Sequence, residues 1–353
     1  MALKEPKIVE GPWKHRMDSQ VTSSRNKGTL FNNYDNPWKT WSFPGLFDLL
    51  KLQRTFIFGN NSIMRPPADK PELEKNLPVL KPDWTTQDGG GMELTWLGHA
   101  TVLVRFDGIS VLTDPVLGNR CSPFSFAGPI RYREAPCSVD DLPHLDAVVL
   151  SHAHYDHLDK QSVVDLNKKF GSELRWFVPL GLRNWFVKLG VQDVVELDWW
   201  DEERLPQHDN VKFAFTPTQH WSNRGLHDKG SHLWGSWCIF GPKHSFFFAG
   251  DTGYCEAFKE IGRRYGPFDL SAIPIGAYEP RWFMKPQHVN PEESVKIHQD
   301  VESKKSVGIH WGTFLLTNEN YMEPKTKLEE EIIKQGLTIE DFFTLNHGET
   351  KCL

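Results

Sequence analysis

Ser151-His152-Ala153-His154-Tyr155-Asp156-His157 puts three imidazoles and one carboxylate into a short stretch directly after the apolar run Ala147-Val148-Val149-Leu150. The apolar run reads as a buried strand and the polar string as the loop at its end. Side-chain direction repeats every two residues along a strand, so His152 and His154 project the same way. Neutral imidazole nitrogens and carboxylate oxygens are the preferred ligands of zinc-like ions. Asp156 and His157 fall just beyond, where the chain can turn and offer them to a second ion. The feature therefore predicts a fold built around a strand that ends in a metal site.

At 353 residues the chain has room for one large domain or two ordinary ones. Hydrophobic residues at 39% and charged residues at 24% are those of a soluble globular protein with ample core. A net charge of −6 argues against a general nucleic-acid binder, although a local basic patch is compatible with it. The 14 tryptophans serve cores, ligand pockets and membrane interfaces alike. Cys121, Cys137, Cys238, Cys255 and Cys352 are odd in number and form no CxxC pair, which is simplest in a reduced intracellular compartment. Met1 to Gln20 has no apolar stretch of the secretory kind, and no run in the sequence approaches a membrane span. Any membrane contact is expected to be peripheral.

Residues 1–40 are polar, with scattered lysines and arginines, and read as a flexible arm. Residues 41–80 form an amphipathic extension and a Pro-rich connector that runs from Pro66-Pro67 to Pro82. Apolar residues at 43, 46, 47 and 50 have helical spacing, with Trp38 and Trp41 just before them. An interfacial membrane anchor and an extension packed on the core are equally compatible with that pattern. Residues 81–353 read as one α/β catalytic domain. Strands are expected at 92–97, 100–106, 109–113, 146–150, 174–178, 194–197, 211–216, 236–240, 244–249, 270–275, 305–309 and 342–345. Helices are expected at 159–169, 180–189, 253–264, 291–303 and 324–335; Asn290-Pro291-Glu292-Glu293 marks one helix start clearly. Early strands pair as a meander and later ones alternate with helices, which predicts two sheets with helices outside.

Further ligand candidates stand where other strands end. His220 follows the strand-like Val211–Thr216, Asp251 closes Ser245–Gly250, and His310 ends Ser306–Ile309. In residue type, order and spacing the set resembles the metallo-β-lactamase superfamily, whose motif is HxHxDH followed by His, Asp and His. That resemblance implies an αβ/βα four-layer sandwich, two mixed β-sheets flanked by helices, with a dinuclear site between the sheets. It implies that His152, His154 and His220 hold one ion, that Asp156, His157 and His310 hold the other, and that Asp251 bridges them. Asp114, at the end of the next-earliest strand, could orient a ligand imidazole by accepting its hydrogen bond. For His99, support of its loop is the expected role rather than metal binding.

Superfamily alone does not give a substrate. Trp96-Leu-Gly-His-Ala-Thr101, Thr113-Asp114-Pro115, Ser151–His157, Thr216-Pro-Thr-Gln-His-Trp-Ser222, Phe248-Ala-Gly-Asp-Thr-Gly-Tyr254 and Ile309-His-Trp-Gly-Thr-Phe314 together resemble the phospholipases D that hydrolyse N-acylphosphatidylethanolamine. The resemblance covers roughly residues 35–350. It implies release of an N-acylethanolamine and phosphatidic acid by a hydroxide bridging two zinc ions. It also implies a homodimer, peripheral association with the cytosolic face of membranes, and response to bile-acid-type amphiphiles. Asp251 and Asp156 would be catalytic through the ions; His288 would contact the phosphate or protonate the leaving group; Tyr155 and Gln287 would contact substrate. Trp185-Phe186-Val187 and Leu226–Trp234 are candidates for the wall of an acyl groove, or for ordinary core. The HxKxxxxD motif of other phospholipases D is absent, so the activity has to be metal-driven. A soluble lactonase of the ascorbate-phosphate type, a nuclease of the same superfamily and a non-catalytic membrane-binding protein are the competing expectations. The N-terminal apolar segment disfavours the first, the acidic charge the second, and the complete ligand set the third.

Overall fold

The computed structural model describes residues 40–42, 45, 47–48, 50–52, 54, 69–85, 90–124, 126–225, 228 and 230–353. The arm up to residue 39, the proline pair 66–67, and Phe43 and Leu46 of the amphipathic stretch lie outside the described residues.

Fourteen strands follow in chain order among the described residues. They are β1 Glu93–Gly98, β2 Thr101–Phe106, β3 Ile109–Thr113, β4 Ala147–Val149, β5 Arg175–Pro179, β6 Val194–Leu197 and β7 Glu202–Leu205, then β8 His208–Thr216, β9 Ser236–Phe240, β10 Ser245–Phe248, β11 Leu270–Pro274, β12 Ser306–Ile309, β13 Phe342–Phe343 and β14 Thr350–Cys352. They build two seven-stranded sheets, ordered β14-β1-β2-β3-β4-β5-β6 and β13-β12-β11-β10-β9-β8-β7. Each sheet is half antiparallel and half parallel: β3 to β6 run parallel, as do β10 to β13. Two antiparallel steps return a strand to its starting direction, so β1 runs with β3 and β8 with β10. The C-terminal ends of β1, β3, β4, β8, β10, β11 and β12 consequently gather at one edge of the sandwich.

Period-two alternation decides which layer each strand residue serves. Val102, Val104, Val111, Ala147, Val149 and Phe177 face inward to Phe213, Phe215, Trp237, Ile239, Phe246 and Phe248 of the other sheet. Their neighbours Leu103, Leu112, Val148, Leu150, Trp176 and Val178 face outward instead. There they meet Val163 and Leu166 of α2 (Lys160–Phe170) and Phe186 of α3 (Arg183–Lys188), where α1 is Lys70–Asn76. Over the second sheet, α6 (Pro291–Asp300) packs on β11 and is flanked by α4 (Ala257–Tyr265) and α7 (Glu323–Lys334); α5 is the single turn Arg281–Met284. The expected four-layer sandwich is the observed architecture.

Local sequence accounts for the helix starts. Asp159 accepts hydrogen bonds from the Gln161 and Ser162 amides, and Asn290 and Glu293 form a reciprocal capping box over Pro291. Several boundaries differ from expectation. The connector is not a mere linker: it carries α1, whose Leu73 joins Leu77 in the main core, and Leu80 donates its amide to the His347 carbonyl. The expected helix at 253–264 starts only at Ala257, because the Gly253 amide bonds to the Gln219 carbonyl and its backbone lies against Pro286. β7 and β14 were not anticipated, since an edge strand such as Glu202-Glu203-Arg204 exposes its side chains and has no apolar alternation.

Candidate metal centre

Every candidate ligand stands just beyond a strand that ends at the shared edge. His152, His154, Asp156 and His157 follow β4, His220 follows β8, Asp251 follows β10, and His310 follows β12. The structure brings all seven together in two sets. In the first, Nδ1 of His154 lies 2.8 Å from Nε2 of His152 and 3.2 Å from Nε2 of His220. In the second, Nε2 atoms of His157 and His310 are 3.2 Å apart, and each is 3.5 Å from Oδ2 of Asp156. Asp251 lies between the sets: its carboxylate is 3.1 Å from His157, 3.0 Å from His310, 3.8 Å from His220 and 3.9 Å from His152.

The hydrogen bonds on the far side of three rings fix which nitrogen faces inward. Ser151 gives its hydroxyl proton to Asp114, so at 2.9 Å it accepts the Nδ1–H of His152 and leaves Nε2 with a lone pair. Nδ1–H of His220 donates to the Gln287 carbonyl at 2.9 Å. Nδ1–H of His157 donates to Oδ2 of Asp114 at 2.6 Å, the orientation expected for that aspartate. Lone pairs aimed at one another across about 3 Å repel unless a cation sits between them, and ligands tetrahedrally placed at about 2.0–2.1 Å from zinc are separated by about that much. Nε2 of His154, Nδ1 of His310 and Nδ1 of His288 are buried with no hydrogen-bond partner among the described residues. This donor set fits transition-metal ions.

Electrostatics divides the two sets. Burial dominates at His152, His154 and His220 and pushes their pKa values down, to about 4 for His154 and about 3 for His220, which leaves neutral imidazoles ready to ligate. At His157 and His310 burial also opposes charge, but Asp251 and Asp156 outweigh it; the pKa of His310 rises to about 9. Burial disfavours the charge on Asp156 and Asp251 as well, and His157 outweighs it, holding both far below the usual carboxylate range. A cation entering the second set therefore displaces protons.

His288 lies beside the centre, its Nδ1 3.9 Å from Asp251 and its ring edge-to-face with His220 at 5.2 Å and tilted against His310 at 5.4 Å. Burial depresses its pKa to about 3. Next to it opens an apolar cavity of about 270 Å³ lined by Leu52, Trp221, Phe283, Met284, Gln287 and Leu316, among others. Gln287 thus lines the cavity, accepts the Trp221 indole N–H at 2.7 Å and orients His220 through its carbonyl. Tyr155 does not line it: its hydroxyl donates to the Arg224 carbonyl at 2.7 Å, with the Arg224 guanidinium over its ring.

Of the segments that could be groove wall or ordinary core, the buried apolar residues fall to core. Phe186 is buried in the outer core, and Leu233 and Trp234 in the inner one; Leu226 lies outside the described residues. Their apolar character suits core and cavity equally, so sequence could not choose. Sequence reasoning also missed the residues that clamp the histidine loop from the second sheet. The Ser222 hydroxyl accepts the Ala153 amide at 3.1 Å, and Arg224 donates to the carbonyls of Ala153 and Leu158. The N-terminal extension reaches the same edge: Thr40 donates to the Gln219 side chain, and Lys51 sits over the Trp282 ring at 4.0 Å.

The family described as the β-lactamase superfamily domain matches residues 110–311. Over 344 residues the chain is 41% identical to N-acyl-phosphatidylethanolamine-hydrolyzing phospholipase D 1 of Caenorhabditis elegans, which covers 94% of this chain and 95% of the relative. It is 31% identical over 340 residues to the mitochondrial N-acyl-phosphatidylethanolamine-hydrolyzing phospholipase D of Saccharomyces cerevisiae, covering 85% of this chain and 71% of that protein. Among solved structures, Igni18, a metallo hydrolase from Ignicoccus hospitalis, superposes with a TM-score of 0.57 at 20% identity over 74% of this chain and 98% of its own, a likeness of fold alone.

Proposed function

We propose, for a chain that belongs to the β-lactamase superfamily and within it to the N-acylphosphatidylethanolamine-hydrolysing phospholipase D family, hydrolysis of N-acylphosphatidylethanolamine to an N-acylethanolamine and phosphatidic acid at a dinuclear zinc centre. The protein is a metal-dependent hydrolase of the phospholipase D type. The observation that carries the reading is the convergence of five imidazoles and two carboxylates in two sets that share Asp251. Imidazole-rich sites suit zinc, whereas magnesium and calcium prefer oxygen alone.

His152, His154 and His220 would hold one ion, Asp156, His157 and His310 the other, and Asp251 both. Two bound divalent cations would supply a hydroxide near neutral pH and neutralise charge on the phosphoryl oxygens. Around them, this chain's own residues orient the substrate. With its pKa near 3, His288 is neutral at pH 7, so it offers a phosphoryl oxygen a hydrogen bond more readily than it protonates a leaving group. Both possible leaving groups are primary alkoxides of similar basicity, so orientation must select the ethanolamine oxygen as the one that departs. The apolar cavity beside His288 suits an acyl chain and would set that orientation. Gln287 would contact substrate from the cavity wall; Tyr155, outside that cavity with its hydroxyl donating to the Arg224 carbonyl and the Arg224 guanidinium over its ring, would instead hold that arginine against the histidine loop.

The reading extends to a homodimer and to peripheral attachment on the cytosolic face of a membrane. No helix among the described residues is long and apolar enough to cross one. Exposed Phe47, Leu50 and Trp282, on segments that reach the metal edge, support attachment. Purified protein incubated with N-acylphosphatidylethanolamine, phosphatidylcholine and RNA, with and without chelator, tests the proposal. Chelator-sensitive release of N-acylethanolamine alone is expected; cleavage of RNA alone would overturn it.

A further inference from the structure

His99 is the tip of the β1–β2 hairpin and is buried at 2% exposure, though it belongs to none of the seven-ligand set. Its Nε2 is 3.0 Å from Oδ2 of Asp156, and because a carboxylate only accepts, His99 is the donor. Asp156 is partly exposed, at 17% for its side chain, against 0–2% for Asp251, His152, His157, His220 and His310. The other imidazoles near its Oδ2, His157 and His310, are themselves ion-facing and cannot restrain it independently of the ion.

The hairpin tip holds His99 rigidly for this contact. Its backbone is in the left-handed region, with φ at 53°, which an ordinary side chain occupies only when its surroundings impose it. The Thr313 hydroxyl accepts its amide at 2.7 Å, and its carbonyl accepts both the Trp96 indole N–H and the His310 amide, at 3.0 and 2.9 Å. The ring lies 4.0 Å from the His310 ring and meets the Phe314 edge at 5.2 Å. One residue from the first sheet thereby grips a carboxylate ligand by its side chain and an imidazole ligand of the second sheet by its backbone.

We infer that His99 is a positioning residue for the Asp156–His157–His310 ion, presenting Asp156 in its coordinating orientation before the cation arrives. The inference rests on the dinuclear reading. A carboxylate already oriented loses less side-chain freedom on binding, and removal of such an outer partner commonly lowers metal affinity roughly ten- to hundredfold. His152, His154 and His220 lack any such contact with His99, so their ion should be unaffected.

The test is a zinc titration of the metal-free protein against a chromophoric chelator, comparing wild type with His99→Gln and His99→Met. The two replacements are similar in length, and only glutamine can donate an N–H. Wild type should bind two ions; His99→Met should bind one with unchanged affinity and the other roughly ten- to hundredfold more weakly, while His99→Gln recovers most of the difference. A purely structural role predicts equal effects of the two replacements. Two ions of unchanged affinity in His99→Met, or equal losses in both variants, would overturn the role of His99 alone. A single ion in wild type would overturn the dinuclear reading and this inference with it.

Discussion

At Asp114 a single side chain serves three partners. It accepts the Ser151 amide at 2.7 Å, the Ser151 hydroxyl and the His157 Nδ1–H, all in full burial. Burial pushes its pKa up, and the hydrogen bonds from His157 and Ser151 pull against that rise. Asp114→Ala should strand them, costing about 3 kcal/mol in denaturant unfolding and roughly ten- to hundredfold in zinc affinity; an unchanged unfolding midpoint would contradict this. The buried histidines give a second prediction. Burial lowers the pKa of His99, His152, His154, His220, His288 and His347, so the unfolded chain binds protons that the fold refuses, and stability falls as pH falls below about 6.5. His157 and His310 act in the opposite sense: their pKa values are raised, and the stability they add below about 6.5 is lost as pH climbs, towards about 9 for His310. Melting temperatures of the chelated protein between pH 4 and 9 should therefore peak near neutrality; a steady rise to pH 9 would refute the account. At this level the convergence of the seven candidate residues was legible, because they follow apolar runs that end at one edge. The partner of the Tyr155 hydroxyl was not legible, because the Arg224 carbonyl is 69 positions away and nothing local announces it.

Buried strands announced themselves as apolar runs, which is why β4, β8, β10 and β12 and the candidate residues beyond their ends could be anticipated. What escaped were elements whose reason lies in a neighbour. α1 interrupts a proline-rich stretch because Leu73 finds a place in the core, and α5 is a single turn that supplies Phe283 and Met284 to the cavity wall. Gly250 shows how closely the elements meet at the metal edge. It has φ of 60°, and a Cβ there would lie 2.5 Å from the Ser151 Cβ and 3.0 Å from the Gly235 carbonyl oxygen. Gly250→Ala should thus push the end of β10 away from the end of β4, costing about 1–3 kcal/mol by overpacking and spreading the two ligand sets. Denaturant midpoints and bound zinc should both decline; a decline in neither would show that the junction has slack.

Across both sheets, the shared direction of the ligand-bearing strands concentrates chemistry on one edge, and exposed apolar side chains occur around it. Phe47 is 88% exposed, and Phe126, on the long connection that leaves β3 at Asp114, is 81% exposed. Replacing both with serine should weaken co-sedimentation with phospholipid vesicles while leaving turnover of a soluble short-chain substrate intact. Equal vesicle binding by the variant would remove these side chains from the contact. Architecture was readable from the alternation of elements; the pairing of remote segments was not. Thr95 and Thr350 join hydroxyls at 2.7 Å across β1 and β14 although 255 positions separate them. A nascent polypeptide must therefore carry β1 with one bare hydrogen-bonding flank until β14, 255 positions further on, has been made, a sticky interval that favours chaperone attendance and makes slow elongation hazardous for this protein.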